Sequence, residues 1–294
     1  MIPVPEYPVF EPMCLGHQGF FDQAFAKNPP EISEFTFTNL YAWRNAYRFY
    51  VARYDDFLIV RSDAKGIPCF LEPIGTGDKR AVMENILVDT AGSFIRIPET
   101  VKKIFAGDTR FHVERDAANS DYLYRTDDLI RLVGRKFDGK RNQIKKFKAQ
   151  YSFAYVELDA VAGRECLDFA DGWCIVRDCD GVEGLRHERA AIDDMISHWN
   201  TFGLVGGAIK VEQKVCAVAW GQKLNPETIV IHILKADPAM LGLYQVMHHE
   251  FVSHHAAGFQ FVNMEQDLGI EGLRKSKLSY QPIRLVEKFT IRLT

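Results

Sequence analysis

Short apolar runs broken by polar pairs dominate the first half of the chain: RFYVARY from Arg48, FLIVRSD from Phe57 and GIPCFLEP from Gly66. Asp55-Asp56 and Lys65-Gly66 stand between them. β-rich runs separated by turn residues predict an antiparallel meander. The period then changes. In GDKRAVMENILVDTAG, Asp78 suits a helix N-cap, and Val82, Met83, Ile86 and Leu87 recur at helical spacing. SFIRIP and RFHVERD read as later strands, with a short helix around ETVKKIFAG ended by Gly107.

The second half repeats this order. Two helical stretches, at about 163–178 and 187–202, come first. Ile192, Met195, Ile196, Trp199 and Phe202 give the second its apolar period, and Gly203 ends it. VGGAIKVE, KVCAVAWGQKL and TIVIHILKA then read as three strands. The helix LYQVMHHEFVSHHAAG follows, then the strand FQFVNME and the loop QDLGIEG. Three meandering strands, a helix and a further strand, twice over, is the order of an N-acetyltransferase-like domain. The expected fold is therefore α+β: two tandem domains of that kind, at 1–150 and 151–294, each a mixed sheet flanked by helices. The match between the halves is one of element order, with little residue identity.

Charge changes the picture in one place. The chain has 294 residues, 36 basic and 39 acidic, so a protein that coats nucleic acid over its whole surface is excluded. Yet Arg131 to Lys148 holds eight basic residues and one acid, Asp138. A helix from Gly139 through Ala149 would align Arg141, Lys145 and Lys148 beside an apolar stripe of Ile144, Phe147 and Tyr151. Such a helix packs by one face and offers cations on another, to a nucleic-acid backbone or an anionic lipid headgroup. A plain solvated basic helix is the alternative.

The six cysteines are scattered, and only Cys174 and Cys179 come close to a cluster, so reduced thiols are expected. In HHEFVSHH, residues 248–255, the offsets do not suit metal ligation on one helix face, and solvated surface is expected. No uncharged apolar run could span a bilayer, and MIPVPEYPVFEP lacks the plan of a signal peptide. A cytoplasmic protein is expected, peripheral at the membrane where the basic helix meets lipid.

NMEQDLGIEGLRKSKLSYQP, residues 263–282, resembles the C-terminal signature of the phosphatidylglycerol lysyltransferase C-terminal-domain family. FTFTNLYAWR (35–44), GRKFDGKRNQIKKF (134–147) and IHILKADPAMLGLYQ (231–245) are similar to its other motifs. The resemblance covers most of the chain. It implies a tandem acetyltransferase-like fold and transfer of an aminoacyl group from a charged tRNA to a lipid hydroxyl or a peptide amine. The chemistry of Asn39, Tyr41, Trp43 and Arg44 in the first motif is not legible, and Trp43 is expected in the core. Acetyltransferases cradle the coenzyme A pyrophosphate in a glycine-rich turn at a helix N-terminus. Here that turn is ADPAMLGLYQ, with the single Gly242. Aminoacyl-tRNA is therefore the first candidate donor and acyl-CoA the second.

Glu265 and Asp267 end a strand, and Arg274 and Lys277 lie three apart on the next helix. A carboxylate there could take a proton from an attacking amine or hydroxyl, and the cations could steady an oxyanion. These four are the candidate catalytic residues. Ion pairing that merely caps the helix is the alternative. His232 and Lys235, expected on one side of the preceding strand, with Tyr244, Lys140, Arg141, Lys145 and Lys148, are the candidate substrate-binding residues. No cysteine or serine sits in a nucleophile motif, so direct attack in a ternary complex is expected. The competing reading is a non-catalytic protein that binds an anionic ligand in the cleft between its domains.

Overall fold

The computed structural model describes residues 2–64, 66–167, 169 and 187–294. They form two compact units: Met1–Asp121 with Val286–Thr294, and Tyr122–Leu285. Among the described residues, no helix is long and apolar enough to cross a membrane.

The first unit contains β1 (Glu11–Pro12), β2 (Phe49–Tyr54), β3 (Phe57–Ser62), β4 (Cys69–Phe70), β5 (Ile74–Gly75), β6 (Ser93–Pro98) and β7 (Phe111–Arg115). Tyr54 pairs with Phe57 across the expected Asp55-Asp56 turn, where Asp55 takes a left-handed φ of 51°. The helix Lys79–Thr90 opens with the Asp78 carboxylate accepting from the Ala81 N–H, and Val82, Met83, Ile86 and Leu87 are all buried. It connects β4 to β6, which pair in parallel.

The second unit contains β8 (Asp121–Arg125), β9 (Phe153–Glu157), β10 (Val205–Val211), β11 (Lys214–Asn225), β12 (Thr228–Ala236), β13 (Phe261–Asn263) and β14 (Arg284–Val286), in the sheet order β14-β8-β13-β12-β11-β10-β9. The helix Leu243–His255 joins β12 to β13, which also pair in parallel. The repeated element order is thus present as two mixed sheets, each with a parallel pair spanned by a helix. The last strand, β15 (Lys288–Leu293), belongs to the first unit's sheet, where it lies between β6 and β7.

Two expectations are corrected. The first unit gives way to the second at Asp121, not near residue 150. The helix Asp138–Gln150 buries Phe147 among Tyr124, Leu243, Met247 and Phe251 of the second unit's core, so the basic segment belongs there entirely. Trp43 is half-buried and lies at a tilt to the Tyr47 ring, 6.1 Å between centroids, short of the core position expected for it. The helix expected at 187–202 forms as Glu188–Ser197 and Trp199–Phe202, with Gly203 left-handed after it. Of the one expected at 163–178, the helix Ala160–Glu165 covers the start. Residues 168 and 170–178 of it, Cys174 among them, and Cys179 beyond it, lie outside the described residues.

Candidate functional site at the end of a parallel strand pair

β12 and β13 pair at only three positions, Thr228 with Phe261, Ile229 with Val262 and Val230 with Asn263. β13 then ends, while β12 runs on to Ala236 without that neighbour. Crevices beyond the carboxyl ends of parallel strands are common ligand sites. Here β12 is also irregular. Trp220 of β11 faces Ile233 and Gly221 faces Ile231, so His232 is the extra residue of a β-bulge. Bulges re-aim side chains. Ile229 and Ile231 before the bulge and Leu234 and Ala236 after it all join the same core cluster. The alternation has therefore slipped by one residue, and both His232 and Lys235 fall off that core. Gly221 permits the close approach: a Cβ there would lie 1.9 Å from the Val230 carbonyl oxygen.

His232 Nδ1 lies 2.8 Å from Glu265 Oε1. Its other nitrogen, Nε2, is buried and has no partner among the described residues. Glu265 holds a left-handed φ of 55°, unusual for a residue with a side chain. Its N–H donates to Asn263 Oδ1 at 2.8 Å and its carbonyl accepts from the Tyr122 N–H at 3.2 Å, so the turn is fixed on both sides. Met264 points the other way, into the core.

Asp267 is almost fully buried and saturated. It accepts from Tyr122 Oη at 2.6 Å, from Arg274 Nε at 2.9 Å and Nη2 at 3.2 Å, and from the Gly269 N–H at 2.8 Å. Burial works against its charge, but the bonds from Arg274, Tyr122 and Gly269 outweigh that and hold the carboxyl below its usual range. Burial, then the bond to Asp267, pushes the Tyr122 phenol up to about 12, which keeps it a donor. Lys277 donates to the Met264 and Gln266 carbonyls, both at 2.5 Å. The four proposed catalytic residues therefore surround one loop but divide its work. Glu265 meets a histidine, Asp267 and Arg274 brace the loop against each other, and Lys277 clamps its backbone. Lys235, on β12, is buried and paired with Glu188 at 2.5 Å.

On the core side of Met264, His248 is fully buried, in place of the solvated position expected for it. Its Nε2 lies 3.2 Å from Met264 Sδ, and its ring centroid 4.5 Å from that of Tyr280. Burial, then the charge of Lys140, pushes this imidazole down to about 3. A histidine with a depressed folded pKa contributes stability that is present above its unfolded pKa, about 6.5, and lost as pH falls toward the folded value. Between pH 7 and pH 5 the loss should be about 2 kcal/mol at 1.36 kcal/mol per unit. Urea titrations of wild type and His248→Gln at both values test this: the variant should lose clearly less. Equal losses would refute the assignment.

The basic helix is less free than its sequence suggests. Arg141 bonds to Asp138 and to the Leu132 and Gly134 carbonyls, Lys148 pairs with Glu250 at 3.0 Å, and Arg131 pairs with Asp127 at 2.8 Å. Among the described residues, Lys145 makes no ion pair. A depression of about 560 Å3 is lined by Arg131, Arg141, Ile144, Lys145, Lys148 and His249. Of the remaining candidates, Lys140 lies over Tyr280, and Tyr244 is partly buried in the first turn of Leu243–His255. By sequence alone His232 is a candidate binding residue only. The bulge that turns it toward Glu265 depends on the β11 partner strand, though Gly221 was a visible signal for it.

The family model described as phosphatidylglycerol lysyltransferase, C-terminal, matches residues 25–292. Among solved structures, a conserved protein of unknown function from Bacteroides thetaiotaomicron is 33% identical, with a TM-score of 0.90 over 97% of this chain and 99% of that one. L-PGS from Bacillus licheniformis is similar in fold, at 13% identity and a TM-score of 0.66 over 99% of this chain and 93% of that one. So is a tandem GNAT protein from the clavulanic acid biosynthesis pathway, at 10% identity and a TM-score of 0.52 over 97% and 98% of the two chains. No curated protein matches the sequence.

Proposed function

Because the chain belongs to the phosphatidylglycerol lysyltransferase C-terminal family, we propose that it is an acyl-transfer enzyme whose donor is an aminoacyl-tRNA and whose acceptor is an amine or hydroxyl. The carrying observation is the His232–Glu265 pair at the bulge. With Nδ1–H donated to the Glu265 carboxylate, Nε2 keeps its lone pair. It takes the proton of the acceptor as that atom attacks the donor's ester carbonyl. The bond to the ribose oxygen breaks, and the same proton passes from Nε2 to that leaving oxygen. Atoms balance without a covalent enzyme intermediate.

The choice of donor rests on Gly242, the N-cap of Leu243–His255, with φ 89°. A Cβ there would lie 2.4 Å from the Gln143 carbonyl oxygen of the basic helix. The turn that cradles pyrophosphate in CoA-dependent acetyltransferases is thus packed against protein backbone, which favours an aminoacyl-tRNA. Lys145 and the depression beside it would meet the tRNA phosphates, placing the protein in the cytoplasm. The test supplies purified protein with a radiolabelled aminoacyl-tRNA pool or with acyl-CoA, each with phosphatidylglycerol vesicles or a lysine-containing peptide. Label should pass from tRNA to an acceptor. Transfer from CoA alone would overturn the donor, and no transfer from either would overturn the enzyme reading.

A further inference from the structure

Among the described residues, Lys140 is a cation with no counter-ion. The side chain lies in the first turn of Asp138–Gln150, on the face that also carries Gln143 and Phe147 against Gly242. The residue is only 8% exposed. Its Nζ sits 3.9 Å from the centroid of the Tyr280 ring. Among the described residues it makes no ion pair and no hydrogen bond. Beneath it the Tyr280 hydroxyl is also buried without a partner. An ammonium so far out of water normally has a carboxylate or several acceptors around it. A cation–π contact replaces only part of that loss.

His248 is neutral, and burial raises the phenols of Tyr280 and Tyr124, so these too stay neutral. Tyr244, raised to about 12 by burial, begins the adjoining helix, whose first turn holds no acidic residue. Burial pushes Lys140 down to about 8, as expected for an amine short of a partner.

We infer that Lys140, together with the unpartnered Tyr280 hydroxyl, forms a subsite for a phosphate oxyanion. Lysine binds phosphate as a point charge, and a phenol hydroxyl without a partner can donate to one of the anion's oxygens. The subsite lies on the opposite side of the Met264–Glu265 step from His232. Met264 reaches His248 beneath Lys140, while Glu265 reaches His232. It deepens the proposed function by assigning where a phosphate of the donor is held, and rests on that reading only for the donor's identity.

The test is calorimetric titration with inorganic phosphate, adenosine 5′-monophosphate and glycerol 3-phosphate at constant ionic strength. The proteins are wild type, Lys140→Met and His232→Gln. Methionine keeps the apolar stem and the contact with Tyr280. Wild type should bind phosphate, Lys140→Met at least tenfold more weakly, and His232→Gln as wild type. Tighter binding of the adenosine ester would point to a nucleotide source, and of the glycerol ester to a lipid headgroup. Equal affinity of wild type and Lys140→Met, or no binding by wild type, overturns the subsite. Lys140→Arg supplies a second check, because a retained charge should restore much of the binding even where Lys140→Met folds poorly. Loss of transfer in His232→Gln with phosphate binding intact separates failure of the subsite from failure of the transfer reading.

Discussion

Glu265→Gln should remove most transfer activity while leaving the second unit folded. The carboxylate accepts from His232 Nδ1 and so fixes the tautomer in which Nε2 is the proton acceptor. An amide can donate to Nδ1 instead, which moves the ring proton to Nε2 and leaves nothing there to take the acceptor's proton. Loss of a positioned base typically costs on the order of 10²–10⁴-fold in rate. His232→Gln should cost as much, and the double variant little more, because the two residues act as one unit. The melting temperature should change little: Glu265 is partly exposed, and the turn around it is held by Asn263 and Tyr122 through its backbone. Asp267→Asn should behave differently. That carboxylate has four donors and is nearly buried, so its loss should lower stability first and rate only as the loop loosens. Single-turnover transfer assays and thermal melts on the same preparations separate the two. Glu265→Gln within threefold of wild type would end the case for the dyad as base.

Much of this site could be read from the chain, and the failures have local causes. Val82, Met83, Ile86 and Leu87, and Ile192, Met195, Ile196, Trp199 and Phe202, are buried as their spacing predicted, because a helix packed on one sheet face has a single apolar stripe. The loop from Asn263 was picked out as chemically rich, and the carboxylates and cations do gather there. Which of them faces which did not follow from spacing. Arg274 and Lys277 differ by three positions, yet one meets a side chain and the other the backbone, since the loop curls through left-handed residues at Glu265, Leu268 and Gly269. The offsets among the histidines do not reveal the burial of His248, whereas the stripe of Leu243, Met247 and Phe251 beside it does. The basic segment from Arg131 to Lys148 shows the limit of charge counting. Its partners Asp127, Asp128 and Asp138 are near in sequence, but Glu250 comes from the helix Leu243–His255. The destination of the last strand was not legible at all: KFTIRL reads as a strand, and nothing in it says which sheet it joins.

That strand carries the second large effect. Lys288→Met should destabilise the first unit by about 3–5 kcal/mol, the usual cost of breaking a buried ion pair from one side. The Lys288 side chain is fully buried, with Nζ 2.5 Å from Glu34 Oε2 and 2.6 Å from Asp121 Oδ1. Asp121, also fully buried, accepts from the Ser33 N–H at 2.8 Å and Oγ at 2.9 Å, and Arg96 holds the other Glu34 oxygen at 3.0 Å. Burial already pushes Glu34 upward, against the pull of Lys288 and Arg96. Removing the lysine takes away its pull on Glu34 while the Asp121 carboxylate stays close by, and so raises Glu34 further. A carboxyl raised in the folded state binds protons more tightly there than in the unfolded chain, so the variant should regain stability as pH falls. Its deficit against wild type should therefore be larger at pH 8 than at pH 5. Pairing the change with Asp121→Asn, which removes one of the stranded charges, should cost less than the sum of the two single changes by more than 1 kcal/mol, as neighbours in one ionic network do. Urea unfolding of the four proteins, followed through amides of β6 and β15 by hydrogen exchange, gives the comparison. A deficit under 1 kcal/mol at both pH values would mean that the cluster relaxes and that β15 is held in the sheet by Phe289 and Ile291 alone.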